Sequence, residues 1–396
     1  MPAVTPPVIF SSAARRPRAP LVGRERELGL LRDLIASARE GQGRLLFLVG
    51  EAGIGKTRLV EALEELAAEA GCLAVVGRAF PAEGSFPFAI AADALAQLVR
   101  ALGPAAVSVL SRGAEDELAV ILPTLARPGR GPARRSPDAD GRARLFWHVA
   151  QFLRRAAAQQ PIVLVLENAQ WADASSLELL HFLLRQLDGA HVAALCTYNV
   201  HERNLAPALR ATERSLRRAG LAQVHELAAL TITDVAQLAQ RALALSPDVA
   251  ATVAARLHRR TLGNPFFVEE MLKAIPTSAT ASRVPTLGGA AMDELSLPTS
   301  VREAVLARID AVDDVARRVL DIVGVAGARV PRRLLETLCP VPADDFAQAV
   351  ALLCARGLLV EHAAEGALSY ECDHPIVQAT LYEALGHTRA QALHGA

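Results

Sequence analysis

Gly50-Glu51-Ala52-Gly53-Ile54-Gly55-Lys56-Thr57 constrains the fold of this 396-residue chain more than any other segment. Five apolar residues, 45–49, lead into it, and Leu59, Val60, Leu63 and Leu66 come after it at helical spacing until Gly71. A short apolar run without polar alternation predicts a strand buried on both faces. A buried strand joined by a glycine loop to an amphipathic helix is the start of a βα unit. Residues 21–40 precede it as a second amphipathic helix, with Leu28, Leu31, Leu34 and Ile35 on one face.

The same alternation continues downstream. Apolar runs at 73–76, 162–166 and 192–197 predict three more strands, the last two separated by a helical pattern over 175–187. Residues 127–143, rich in Arg, Pro and Gly, read as a solvated loop rather than a strand or long helix. Beyond Leu230 the pattern is helical only, over 233–245, 247–261 and 264–275. Residues 276–298 lack apolar periodicity and read as a linker. Helices at 299–323 and 343–356 then lead to two extended runs around a polar turn, the pattern of a winged helix. The predicted fold is α/β, a P-loop NTPase domain with a parallel sheet, followed by an all-α lid and a winged-helix domain. Its predicted boundaries are a tail at 1–20, the ATPase domain at 21–229, the lid at 230–275, the linker, and a winged-helix-like region at 299–396 that includes the start of a helical region.

The glycine loop has the pattern GxxxxGK[ST]. Its glycines let backbone N–H groups turn onto phosphate oxygens, and the helix behind it presents its positive end. Lys56 is placed to reach the β- and γ-phosphates, and the Thr57 hydroxyl to ligate Mg²⁺. The chain has only two lysines, Lys56 and Lys273, so a chance match is rarer than ~0.001 per chain by frequency multiplication. The plain alternative is a glycine-rich strand–helix turn with a surface lysine. A Mg²⁺–nucleotide site also needs an acid at the end of a neighbouring strand, and Glu167 comes directly after the run 162–166. The next residue is Asn168, which can position a water but cannot take its proton, so slow hydrolysis is expected.

Composition excludes several classes. Forty-two basic residues balance 42 acidic ones, so no global field draws the chain to nucleic acid or an anionic membrane. Direct DNA binding is not expected. The longest aliphatic runs are far below the roughly 20 apolar residues of a membrane span. The proline-broken N-terminus carries its positive charge after its apolar residues, the reverse of a signal peptide, so a cytoplasmic location is expected. Five cysteines without CxxC spacing read as buried reduced thiols.

Taken together, 21–31, 50–63, 161–180, 261–272, 298–312, 352–361 and 374–385 resemble the signal-transducing ATPases of the STAND class, a branch of the AAA+ proteins. The likeness is greatest to the ATPase and winged-helix region of the large ATP-binding regulators of the LuxR family. The resemblance implies a nucleotide-controlled switch that binds ATP or ADP with Mg²⁺. It implies that Val22, Gly23 and Arg24 lie near the adenine, and that Gly263, Asn264 and Pro265 close over the nucleotide from the lid. Without the family, the same Gly-Asn-Pro is a turn that opens a helix. Self-association in the ATP state is a further partner expectation. Two departures stand out: Asn168 replaces a second acid, and Asn199 stands where an arginine sensing the γ-phosphate is usual, with Arg203 the candidate substitute. Full-length family members continue into helical repeats and a helix-turn-helix, so this chain reads as a fragment, a truncated product or a minimal switch module. The competing functions are an actively hydrolysing AAA-type ATPase, a winged-helix DNA-binding ATPase resembling origin-recognition proteins, and a scaffold that binds no nucleotide.

Overall fold

The computed structural model describes residues 21–80, 86–125, 139–275, 297–364 and 367–394. The predicted tail, nearly all of the predicted linker and most of the 127–143 loop lie outside the described residues. The chain divides into two compact units, the first comprising Met1–Val49, Lys56–Tyr198 and Pro207–His225 and the second Gly50–Gly55, Asn199–Ala206 and Glu226–Ala396.

The first unit is the α/β domain. Its described helices are α1 (Glu25–Arg39), α2 (Lys56–Glu69), α3 (Ala89–Leu110), α4 (Glu115–Leu118), α5 (Ala139–Ala157), α6 (Ala174–Gln186) and α7 (Pro207–Arg218). Its strands are β1 (Leu45–Gly50), β2 (Leu73–Arg78), β3 (Ile162–Glu167), β4 (Val192–Asn199) and β5 (Ala222–Glu226), in the order β2-β3-β4-β1-β5. β2, β3 and β4 pair in parallel, with Arg78 opposite Glu167 in register. Every residue of β1, β3 and β4 is buried, which is why these strands read as continuous apolar runs. β5 lies at the sheet edge and only His225 in it is buried. Its sequence, AQVHE, has no apolar run to reveal it.

By length and composition α3 could cross a membrane, and it is the one described helix that could do so alone. It escapes a count of uninterrupted aliphatic runs because alanines and scattered polar residues break them. Gly103, at φ 76° and ψ 162°, interrupts the helix just before Pro104. Ile90, Ala94 and Leu98 are buried in it, and it packs along β2. The 127–143 segment also gives a correction, since its last residues open α5 at Ala139.

The second unit begins with α8 (Ile232–Leu243), α9 (Pro247–Thr261) and α10 (Pro265–Ala274). Then come α11 (Thr299–Ile309), α12 (Asp314–Ala326), β6 (Val330–Pro331), α13 (Arg332–Leu338), α14 (Ala343–Ala355), β7 (Leu359–Ala364), β8 (Ala367–Cys372) and α15 (Pro375–His394). The single helix expected over 299–323 is two helices. Asp313 accepts hydrogen bonds from the N–H groups of Val315 and Ala316 and starts a new helix there. The three strands form an antiparallel sheet, β6-β8-β7. Val301, Leu320, Leu353, Tyr370 and Leu381 share one core with Phe267 of α10.

Candidate functional site

Glu167 ends β3, and its carboxylate is almost fully buried. A buried carboxylate needs partners, and two reach it. The Thr57 hydroxyl at the start of α2 donates to Oε1 at 2.5 Å, and Arg78 Nε at the end of β2 donates to Oε2 at 2.9 Å. Parallel register brings Arg78 there, because neighbouring strands end together. Sequence reasoning misses this arginine, and its position at the end of an apolar strand is the only signal for it.

Asn168 is next, with φ 61° and ψ 44°, the left-handed region that asparagine tolerates better than most residues. Its N–H donates to the Thr197 hydroxyl of β4 at 3.2 Å. The chain therefore turns sharply at the end of β3, and the identity of residue 168 answers to backbone geometry as well as to chemistry.

The loop Gly50–Gly55 groups with the second unit. There the Gly263-Asn264-Pro265 turn grips it. Asn264 caps α10 through Oδ1, which accepts the Phe266 N–H at 3.2 Å, while its Nδ2 donates to the Ala52 carbonyl at 3.0 Å. The Phe266 N–H also reaches the Gly53 carbonyl at 3.2 Å. A Cβ on Gly53 would lie 2.9 Å from both Asn264 and Phe266, so this close approach requires glycine. Gly55, at φ 105°, has open space where a Cβ would point. Within the first unit, the Thr57–Glu167 oxygen pair suits a hard cation such as Mg²⁺. Asn264 opens a helix, as its sequence context alone suggests, and its side chain also meets the 50–55 loop.

Of the remaining expected residues, Val22 and Arg24 are buried before α1, and Gly23 between them has φ 66°. Arg24 lies 4.0 Å from Glu27, which in turn sits 3.0 Å from His225 Nε2. Asn199 is buried at the end of β4, its Oδ1 accepting the His201 N–H and its Nδ2 donating to Glu202, each at 3.1 Å. Its amide shapes the turn after β4.

Beside Glu51 the fold collects residues that sequence reasoning does not join. His201 Nε2 lies 3.8 Å from a Glu51 oxygen and 3.9 Å from an Asp373 oxygen. His201 holds the Glu51 carboxyl below its ordinary value, whereas burial pushes Asp373 up. Burial pushes the His374 imidazole down from its ordinary value. Its Nδ1 accepts the Ile376 N–H at 3.0 Å, so Nε2 carries the proton toward the Thr261 carbonyl at 2.8 Å. No local spacing pattern links positions so far apart in the chain.

Residues 20–196 match the family model of the AAA ATPase domain. The α/β unit has the parallel-sheet fold of a phosphate-loop domain. Over nearly its whole length, 95%, the chain is 24% identical to an uncharacterised protein, R02095, of Rhizobium meliloti strain 1021, and it spans 36% of that protein's length. Among solved structures, the ADP form of the ORC2 protein of Aeropyrum pernix overlays 96% of this chain and 98% of its own at TM-score 0.48 and 14% identity. A STAND protein with a tetratricopeptide repeat sensor from Pyrococcus horikoshii overlays 96% of this chain and 45% of its own at TM-score 0.38 and 16% identity.

Proposed function

We propose that this chain binds ATP or ADP with Mg²⁺ and works as a nucleotide-controlled switch with slow hydrolysis, as the ATPase and winged-helix part of a STAND-type, LuxR-like transcription regulator. The observation that carries this reading is the grip of Asn264 and Phe266 on the Ala52 and Gly53 carbonyls. A ligand can shift an equilibrium only through its difference in affinity between two states. A phosphate loop whose carbonyls are held by the first turn of α10 gives a bound phosphate that leverage on the lid, 230–275.

In this reading Lys56 meets the β- and γ-phosphates, and Thr57 and Glu167 hold Mg²⁺, which neutralises phosphate charge. Arg78 orients the Glu167 carboxylate. Val22, Gly23 and Arg24 serve the adenine, and Gly263 and Pro265 bring the lid turn to the nucleotide. Asn168 can orient water without accepting its proton, which favours a long-lived ATP state over rapid turnover. The region 299–396, with helices before an antiparallel hairpin, acts as the winged-helix output. The balanced charge argues against DNA binding by this chain, whose proposed outputs are protein contacts and self-association in the ATP state.

Limited proteolysis tests the switch. Fragment patterns of the full chain should differ among samples with Mg²⁺–ADP, with Mg²⁺ and a non-hydrolysable ATP analogue, and without nucleotide. Three identical patterns would replace the switch with a static nucleotide-binding scaffold.

A further inference from the structure

Glu51, His201 and Asp373 each offer one ligand atom, and these atoms all lie within 4.8 Å of one another. His201 Nε2 is buried and makes no hydrogen bond, although two carboxylate oxygens face it at 3.8 and 3.9 Å. Those separations are too long for hydrogen bonds and suit an atom set between the groups. Backbone approach fixes the imidazole, since a Cβ on Gly357 would come within 2.6 Å of the ring. Gly357 has φ 61°, so only glycine gives the ring this place without strain. The groups acting on one another here are the Glu51, Glu202 and Asp373 carboxylates, the Arg308 guanidinium and the His201 and His374 imidazoles. Arg308 directs an Nη to the Arg356 and Gly357 carbonyls at 2.8 and 3.0 Å.

We propose that Glu51, His201 and Asp373 form a binding site for a first-row divalent transition-metal ion of the Zn²⁺ class. One imidazole and two carboxylates favour such an ion over Mg²⁺ or Ca²⁺, which take oxygen ligands, and over ions that need thiolates. Around a tetrahedral Zn²⁺ the ligand atoms stand about 3.4 Å apart, from metal–ligand distances near 2.0–2.1 Å. The two edges at His201, 3.8 and 3.9 Å, therefore close by roughly half an ångström on binding, and the Glu51–Asp373 edge, at most 4.8 Å, by up to about 1.4 Å. The Glu51 side chain is 48% exposed, which leaves solvent to complete the coordination. A bound ion would tie the phosphate loop, the turn after β4 and the residues after β8 together within the second unit, independently of the Thr57–Glu167 pair.

The test takes the full chain, stripped of metal by a chelator, with Co²⁺ and then Zn²⁺ as probes. One Co²⁺ per chain should bind with visible d–d absorption and no thiolate charge-transfer band, and Zn²⁺ should displace it. Affinity should fall at least about tenfold in His201→Ala and in the volume-conserving Asp373→Asn. No stoichiometric binding, a thiolate band, or equal affinity in folded variants would overturn the proposal. If His201→Ala does not fold, Asp373→Asn and the wild-type Co²⁺ spectrum decide it. Nucleotide affinity is read on the same samples. A chain that binds nucleotide but no ion overturns the metal site alone, and one that binds the ion but no nucleotide overturns only the switch reading.

Discussion

At the residue scale, the proposed slow hydrolysis rests on the side chain at position 168, directly after Glu167. Asn168 holds a left-handed backbone, φ 61°, that Asp also accepts more readily than Glu. Asn168→Asp introduces a group able to take a proton from water while keeping the turn, so steady-state phosphate release should rise about tenfold or more. Asn168→Glu should gain less because its backbone preference opposes the turn. Equal rates in Asn168→Asp and wild type would contradict that proposal for Asn168 and point to Asn199, whose amide is engaged with His201 and Glu202. The glycine loop and Glu167 are legible in the sequence because each comes after an apolar run that fixes its place at a strand end. Arg78, His201 and Asp373 are not, because their roles arise from strand register and tertiary packing.

At the scale of elements, Asp173 joins two helices of the α/β unit. Its buried carboxylate caps α6, accepting from the Ser176 N–H at 2.8 Å and hydroxyl at 2.6 Å, and accepts the Phe88 and Ala89 N–H groups at 2.8 and 3.1 Å. Asp173→Ala strands those donors in the interior and should cost about 3 kcal/mol, read as a lower midpoint in urea unfolding. A loss below about 0.5 kcal/mol, the range of ordinary surface substitutions, would mean that water replaces the carboxylate. Elements with a strong pattern, such as the continuous apolar run of β3 and the helical periodicity of α9, are readable from sequence. β5 is hidden because an edge strand buries little, and the α11–α12 break because a four-residue turn leaves helical spacing nearly intact. The cap at Asp313 is a local signal that overrides that spacing.

At the scale of the whole molecule, the chain has an α/β unit with a parallel sheet and a second, mainly helical unit whose turn at Asn264 holds the 50–55 loop. The alternation of apolar runs reveals this architecture in outline, whereas the fastening of the Gly263–Pro265 turn to loop carbonyls depends on contacts between residues some 210 positions apart, as from Ala52 to Asn264. The central claim is that the loop at 50–57 binds adenine nucleotide with Mg²⁺ through Lys56. Lys56 is the one cationic side chain in that loop, and backbone amides alone do not offset the desolvation of a triphosphate. The most direct measurement is calorimetric titration of the folded full chain and its Lys56→Ala variant with Mg²⁺–ATP and Mg²⁺–ADP. The expected result is one nucleotide per wild-type chain and an affinity lower by about 100-fold in the variant, the scale of lost charge-assisted hydrogen bonds. Unchanged affinity in a folded Lys56→Ala chain, or no binding to the wild type, would contradict it.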